Sequence, residues 1–399
     1  MRRRVLIVVA VLFIALLGWN YLRATPADAA TLSLKAQSTI AGDPPAIPWP
    51  AAGSAAVGVS GLGALGSSGN EQPAPMASIA KVMTALVVLG DKPLTGGDGP
   101  TITLTDLDVQ TYQADLAQQQ SVVKVEAGEQ LTEFQALEAM LIPSGNNIAE
   151  TLARWDAGSV PAFADKMNKL AKKLGLARTR FADPAGVSPD SVSVPSELMS
   201  LGMTAMKQQA ILKIVRQTQV QLPVAGLVYN VDAVLGQDGI VGIKTGSGLA
   251  SGANFLFAAE ILIGTFPETI YGCVMGQPTL AAAFSAAKAL ILAVQPALTV
   301  KKVLKKNETV GGYDAAWSDH SDVVSTYDVD LVEWPGMILR QRLDAPALTV
   351  DKPLPAGTSA GTLHIMLGDY KLDVPLVTAS PIYPAGRIWR VTRLPWNNS

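Results

Sequence analysis

The order of apolar and polar positions divides the chain into segments of different texture. After "MRRR", residues 5–19 ("VLIVVAVLFIALLGW") are continuously apolar or small, and "ATPADAA" follows. A basic start, a short apolar run and a small-residue A-x-A site at Ala27–Ala29 are the layout of a secretory signal. The run is shorter than a usual spanning helix, while Trp19 and Tyr21 suit an interfacial anchor. Residues 1–30 are therefore read as a signal peptide or an N-terminal membrane anchor. Residues 31–55, rich in Pro and Ala, read as a linker.

From residue 56 the pattern alternates between strands and helices. "SAAVGVSGLGALGSSG" predicts a strand pair. "PMASIAKVMTALVVLG" predicts a helix that is apolar all round and hence buried. "QLTEFQALEAMLI" opens on a capping box, Thr132 with Gln135, and Pro143 stops it. "SGNN" bridges to "IAETLARW", and "PAFADKMNKLAKKLG" forms another helix with Pro at its start and Gly at its stop. "GIVGIKTGSG" and "GANFLFAAE" predict strands around a glycine-rich turn, before a strand at Cys273 and the helix "LAAAFSAAKALILAV". Near residue 298 short alternating segments separated by Pro, Gly and Asp predict a small all-β domain. The fold class is α+β, with domains at 56–297 and 298–395.

Composition narrows the chemistry. Net charge is −2, from 31 basic and 33 acidic residues, which gives no footing for nucleic-acid binding. The single cysteine, Cys273, excludes an internal disulfide and reads as a buried thiol. The two histidines, His320 and His364, both lie in the β tail, so the large domain has none for a Ser-His-Asp site. "GTSAG" at Gly357–Gly361 matches a nucleophile elbow in form but sits in alternating β sequence. No metal-ligand motif is present, and no cofactor or metal is expected.

One lysine stands in the buried helix. Lys81 is the only charged residue from Met76 to Gly90, three positions after Ser78. On a helix those positions share a face, and a buried amine loses its proton more easily. A lysine can then replace histidine as the base for a serine. S-x-x-K alone is weak: "SVVK" (Ser121–Lys124) and "SAAK" (Ser285–Lys288) also occur. Ser78 is distinguished by an ordered set, "SGN" at Ser144–Asn146 and "KTG" at Lys244–Gly246. A second "SGN", Ser68–Asn70, precedes the helix and fits nothing.

With these motifs in order, the chain resembles the penicillin-binding, active-site-serine peptidases, best the low-molecular-mass D-alanyl-D-alanine carboxypeptidases. The resemblance spans about residues 55–395 and also rests on "FADPAGVSP" and "YNVDAVLG". It implies a β-lactamase/transpeptidase-like domain, an antiparallel sheet flanked by helices, followed by the β domain. It implies that Ser78 attacks the penultimate D-alanine carbonyl and Lys81 takes its proton. Ser144 would relay a proton to the leaving amine, and Asn146 would hold Lys81 and the substrate's peptide oxygen. Lys244 and Thr245 would bind the terminal carboxylate, Gly246 would let substrate backbone approach, and Ser78 and Ser247 N–H groups would form the oxyanion hole. The implied partners are peptidoglycan stem peptides, β-lactams as covalent inhibitors, and the membrane through the N-terminal segment. The implied location is extracytoplasmic, secreted or anchored to the outer face of the cytoplasmic membrane.

Two departures stand out: Ser247 where many relatives carry histidine, and Asp183 where asparagine or threonine is common. "RIWRVTRL" near the end is too short and proline-flanked for the usual amphipathic tail, though Ile388, Trp389, Val391 and Leu394 with three arginines suit a surface. The alternatives are a β-lactamase, disfavoured by the lack of glutamate between Glu150 and Glu197, a catalytically dead wall-binding protein, and an endopeptidase. The β tail is expected to act as a spacer or interaction module.

Overall fold

The structure, a computed structural model, describes residues 2–68 and 71–393. Gly69 and Asn70 of the second "SGN", Leu394 and the last positions of the expected β domain lie outside the described residues. The chain divides into two compact units, residues 45–298 and residues 1–44 with 299–399.

The larger unit is built on a five-stranded sheet in the order Ile240–Gly248, Gly252–Ile263, Phe266–Gln277, Ser54–Val59, Gly63–Ser67. Every pairing is antiparallel. Side chains alternate between faces along each strand. Phe255 meets Phe284 of helix Leu280–Val294 edge-on at 4.9 Å. Its neighbour Leu256 faces the opposite way, against Gly202 of helix Pro195–Ala205. Each face of the sheet is thus covered by a helix, as its apolar run requires. Cys273 is fully buried in this sheet, and burial pushes its thiol pKa up.

The Leu256 face continues into a helical cluster around Ala80–Asp91, whose residues from Ala80 to Leu89 are all buried. Helix Glu133–Leu141 begins with the expected capping box: Gln135 N donates to Thr132 Oγ1 at 3.1 Å, and Thr132 N to Gln135 Oε1 at 3.0 Å. Asn146–Ala157 and Val160–Lys173 follow, the latter capped by Ser159. Helix Asp106–Ala117 was not anticipated; its polar surface hides the helical period, and its start is a second capping box, Thr105 with Asp108.

The smaller unit holds a seven-stranded sheet: Thr31–Leu32, Thr309–Asp314, His320–Ser325, Tyr370–Thr378, Ser359–Leu367, Ile338–Asp344, Gln37–Thr39. The expected linker therefore differs from the structure. Its first part supplies both edge strands of this sheet, and only residues from 45 onward belong with the larger unit. "TLSLKAQST" alternates over stretches too short to register as strands, and pairing partners far along the chain complete them. "GTSAG" forms a turn, with Gly357 at φ 81°, leading into strand Ser359–Leu367. His320 pairs with Asp314 at 2.8 Å and His364 with Asp373 at 2.6 Å, within this unit. Residues Arg2–Leu22 form one continuous helix with an exposed apolar surface.

Candidate active site

Ser78 lies in a 3-10 turn, Ala77–Ile79, that runs directly into helix Ala80–Asp91. The residue before it, Ala77, has φ 49°, a left-handed conformation that costs a non-glycine residue about 1–2 kcal/mol. Two glycines hold it there. A Cβ on Gly186, itself at φ 76°, would lie 1.9 Å from the Ala77 carbonyl oxygen. A Cβ on Gly246 would lie 3.0 Å from the Met76 oxygen, 3.1 Å from the Ser78 nitrogen and 3.2 Å from the Ala77 Cβ. Gly246 therefore lets the strand close against the serine turn itself, a different use from the substrate clearance expected of it.

Lys81 is fully buried one helical turn on. Its Nζ is 2.7 Å from Ser78 Oγ, 2.6 Å from Asn146 Oδ1 and 3.1 Å from the Ala185 carbonyl oxygen. Burial, then the positive charge of Lys244, hold its pKa well below that of an ordinary lysine, while Asp183 and Asp115 oppose the shift. A neutral amine in this position can accept the Ser78 proton across the same 2.7 Å contact.

Asn146 opens helix Asn146–Ala157. Its side chain is held at both ends: Oδ1 accepts from Lys81, and Nδ2 donates to Gln120 Oε1 at 2.6 Å. Its backbone N–H donates to the Ser121 carbonyl at 2.8 Å. Asn147 pairs with the backbone of Val123 through both side-chain atoms, at 3.0 and 2.9 Å. These contacts fasten the Gln118–Val123 loop beside the serine. Neither Gln120 nor Asn147 was picked out from the sequence; the second asparagine of "SGNN" was the available signal.

Ser144 is buried between the helices with φ 66°. Among the described residues, no hydrogen bond joins its side chain to Ser78 or Lys81, so the structure does not bring it onto the Ser78–Lys81 path as Asn146 is brought. Asp183 explains its departure from the relatives' residue. Its carboxylate accepts from the N–H groups of Ala185, Gly186, Val187 and Ser188 and from Ser191 Oγ, at 2.6–3.1 Å. An acceptor-only group suits a site made entirely of donors, and the loop it pins carries both Gly186 and the Ala185 carbonyl.

Lys244 and Thr245 are buried in strand Ile240–Gly248, while Ser247 is exposed. Lys244 Nζ donates to the Thr245 carbonyl at 3.1 Å. Burial lowers its pKa to about 7, against the opposing charge of Asp232. Burial likewise raises Asp232 to about 6. Asn254, opposite Gly246 in the neighbouring strand, donates to the Pro75 carbonyl at 3.2 Å and ties the sheet to the segment before Ser78.

These elements border a cleft of about 470 Å³ lined by Ser78, Gln120, Asn146, Val187, Ser247 and Leu249, among others. The two other S-x-x-K matches do different work. Lys124 pairs with Glu126 at 3.4 Å on the surface, and Lys288 binds Gln237 and Asp238. Among the described residues, no group of three or more His, Cys, Asp or Glu is placed to hold a metal ion.

The family profile for D-alanyl-D-alanine carboxypeptidases, S11 peptidases, matches residues 62–264, from before Ser78 to beyond Ser247. Over 145 residues, 36% of this chain, the sequence is 32% identical to the D-alanyl-D-alanine carboxypeptidase DacF of Bacillus subtilis. Over 139 residues, 35% of the chain, it is 33% identical to the D-alanyl-D-alanine endopeptidase of Escherichia coli. The chain spans 36% and 41% of the lengths of these two relatives. Among solved structures, the Streptomyces K15 DD-transpeptidase is similar with a TM-score of 0.56 at 25% identity, over 62% of this chain and 98% of that one. The profile covers about half of the sequence and encloses the whole Ser78–Lys81–Asn146–Lys244 constellation: the chain belongs to the D-alanyl-D-alanine carboxypeptidase family of S11 peptidases.

Proposed function

We propose that the protein is a serine-type D-alanyl-D-alanine carboxypeptidase that removes the terminal D-alanine from peptidoglycan stem peptides outside the cytoplasm. The observation that carries this reading is the fully buried Lys81 amine in contact with both Ser78 Oγ and Asn146 Oδ1. Neutral Lys81 takes the Ser78 proton as Oγ bonds to the penultimate carbonyl carbon. The backbone N–H groups of Ser78 and Ser247 receive the oxyanion, an arrangement in which one donor is worth roughly 10²–10³ in rate. Lys81 then returns the proton to the departing amine, and D-alanine leaves. Ser144 joins that transfer as a relay only after its side chain turns toward the path. Water hydrolyses the resulting ester, with Lys81 again as base.

Protonated Lys244, with Thr245 and Ser247, selects a substrate that ends in a carboxylate. Asn146, fixed by Lys81 and Gln120, presents its amide to the substrate peptide. β-Lactams acylate the same serine. The test is incubation of the protein and its Ser78→Ala variant with a fluorescent penicillin, a diacetyl-Lys-D-Ala-D-Ala peptide and a crosslinked stem dimer. Penicillin labelling and D-alanine release, both lost in the variant, are expected. Rapid turnover of penicillin without D-alanine release replaces the reading with a β-lactamase, and cleavage of the dimer alone replaces it with an endopeptidase.

A further inference from the structure

The smaller unit grips the N-terminal helix in a way that a discarded leader has no use for. Helix Arg2–Leu22 ends with carbonyl oxygens that have no partner inside the helix. Arg393, only 7% exposed, fills that place. Its guanidinium donates to the Asn20 carbonyl at 2.8 and 3.2 Å, to the Ala24 carbonyl at 2.9 Å, and to the Arg23 carbonyl. A cation there also suits the negative end of the helix dipole. The grip is mutual: buried Asn20 donates through Nδ2 to the carbonyls of Arg393 at 2.9 Å and Val391 at 3.3 Å. Arg393 also stacks 5.3 Å above the ring of Trp389, which meets Trp317 edge-on at 5.5 Å.

The apparent processing site is taken up by the same unit. Asp28, between the small residues Ala27 and Ala29, forms an antiparallel bridge with Leu348, N to O at 3.0 Å and O to N at 2.7 Å. Three residues beyond, Thr31–Leu32 pairs with Thr309–Asp314. A peptidase must hold the scissile segment as a free extended strand, and in the folded chain both backbone groups of Asp28 are already engaged.

We infer that helix Arg2–Leu22 is retained as a membrane anchor whose outer end is locked to the β unit by Arg393, and is not removed. The inference rests on the proposed export of the chain. The occupant of the helix surface is the bilayer. The helix has 21 residues, about 31 Å in length, against roughly 30 Å of hydrocarbon. Among the described residues, its apolar side chains from Val5 to Leu16 are mostly 55–67% exposed. Arg2–Arg4 mark the inner end and Trp19 and Tyr21 the outer interface. The short helix Arg387–Thr392 sits against the anchor's outer end, with Ile388 82% exposed between Arg387 and Trp389, a composition suited to lipid headgroups.

The test uses the full chain with a C-terminal affinity tag, produced in a bacterium that exports and processes leaders, and read by intact mass after membrane fractionation. The wild type is expected at full-length mass, released from membranes by detergent but not by alkaline carbonate. Arg393→Ala and Asn20→Ala are expected to raise the fraction beginning at Ala30 roughly tenfold, the factor that goes with one charge-assisted hydrogen bond. Wild-type protein beginning at Ala30, or processing unchanged in both variants, overturns the inference. Fluorescent penicillin on the same samples separates it from the catalytic reading. Full-length protein that takes no label leaves the anchor and removes the activity; labelled protein beginning at Ala30 does the reverse.

Discussion

Replacing Gly246 by alanine tests whether the strand glycine serves the serine turn or the substrate. The added carbon would sit 3.0–3.2 Å from Met76 O, Ser78 N and Ala77 Cβ, none of which is the free end of a flexible side chain. Overpacking of one methyl against fixed atoms costs about 1–3 kcal/mol. In a unit of this size that lowers Tm by roughly 2–10 °C. Relief by movement would push the Ser78 N–H off the oxyanion position by a few tenths of an ångström. A 1 Å misplacement costs about 10² in rate, so a shift of a few tenths should slow acylation by roughly 3-fold to 10-fold. The assay is the second-order rate of labelling by a fluorescent penicillin, with thermal melting on the same preparation. Gly248→Ala is the control, because its Cβ would meet only the movable Ser251 Oγ at 3.2 Å, and it should behave as wild type. Unchanged melting and labelling in Gly246→Ala, with a raised KM for the peptide alone, would refute the reasoning and return Gly246 to substrate clearance.

The rate of acylation should follow a bell in pH, rising as Lys81 loses its proton and falling as Lys244, with a pKa of about 7, loses the charge that holds a carboxylate. In Lys244→Gln the alkaline limb should vanish and the acid limb move to higher pH, since a charge that depresses Lys81 is gone; a pH–rate profile reads both. Glu133 is buried with neither carboxylate oxygen hydrogen-bonded, and burial raises its pKa to about 7. The folded state thus holds a proton that the unfolded chain has released, and stability falls as pH rises from about 4.5 through about 7. Urea melts should show Glu133→Gln more stable than wild type by about 1–3 kcal/mol at pH 8 and no gain near pH 4. Gln120→Ala should slow acylation roughly threefold to tenfold, the value of one hydrogen bond, with little change in Tm; Gln120→Glu, which keeps the acceptor for Asn146 Nδ2, should restore most of the rate.

Legibility in the sequence followed the range of the interactions. The Ser78–Lys81 pair is one helical turn long, and the capping box at Thr132 and Gln135 is equally local, so both were readable from spacing. The depressed basicity of Lys81 followed from one charge in an apolar run. Gln120 and Asn254 act through contacts with segments far along the chain, while Asp183, whose partners lie two to eight residues on, gathers a loop that has no regular period to read. Nothing in "QQQS" or "FADPAG" says which backbone groups those side chains will meet. The role of Gly246 escaped for the same reason, since its constraint is the space left by Ala77. Residues 31–44 read as a linker because each strand in them is two or three residues long and has meaning only beside its partner. Strand order in either sheet was beyond what periodicity can decide.

The left-handed Ala77 also sets a condition on when the enzyme can exist at all. A chain emerging from its N-terminus has Ser78 and Lys81 early, on a helix that can form locally. The turn that aims the serine needs Gly186 and then Gly246 to close on it, and contacts of such long range form late in folding. The serine turn is therefore incomplete through most of synthesis. On the proposed reading, acylation waits until the strand carrying "KTG" docks beside it.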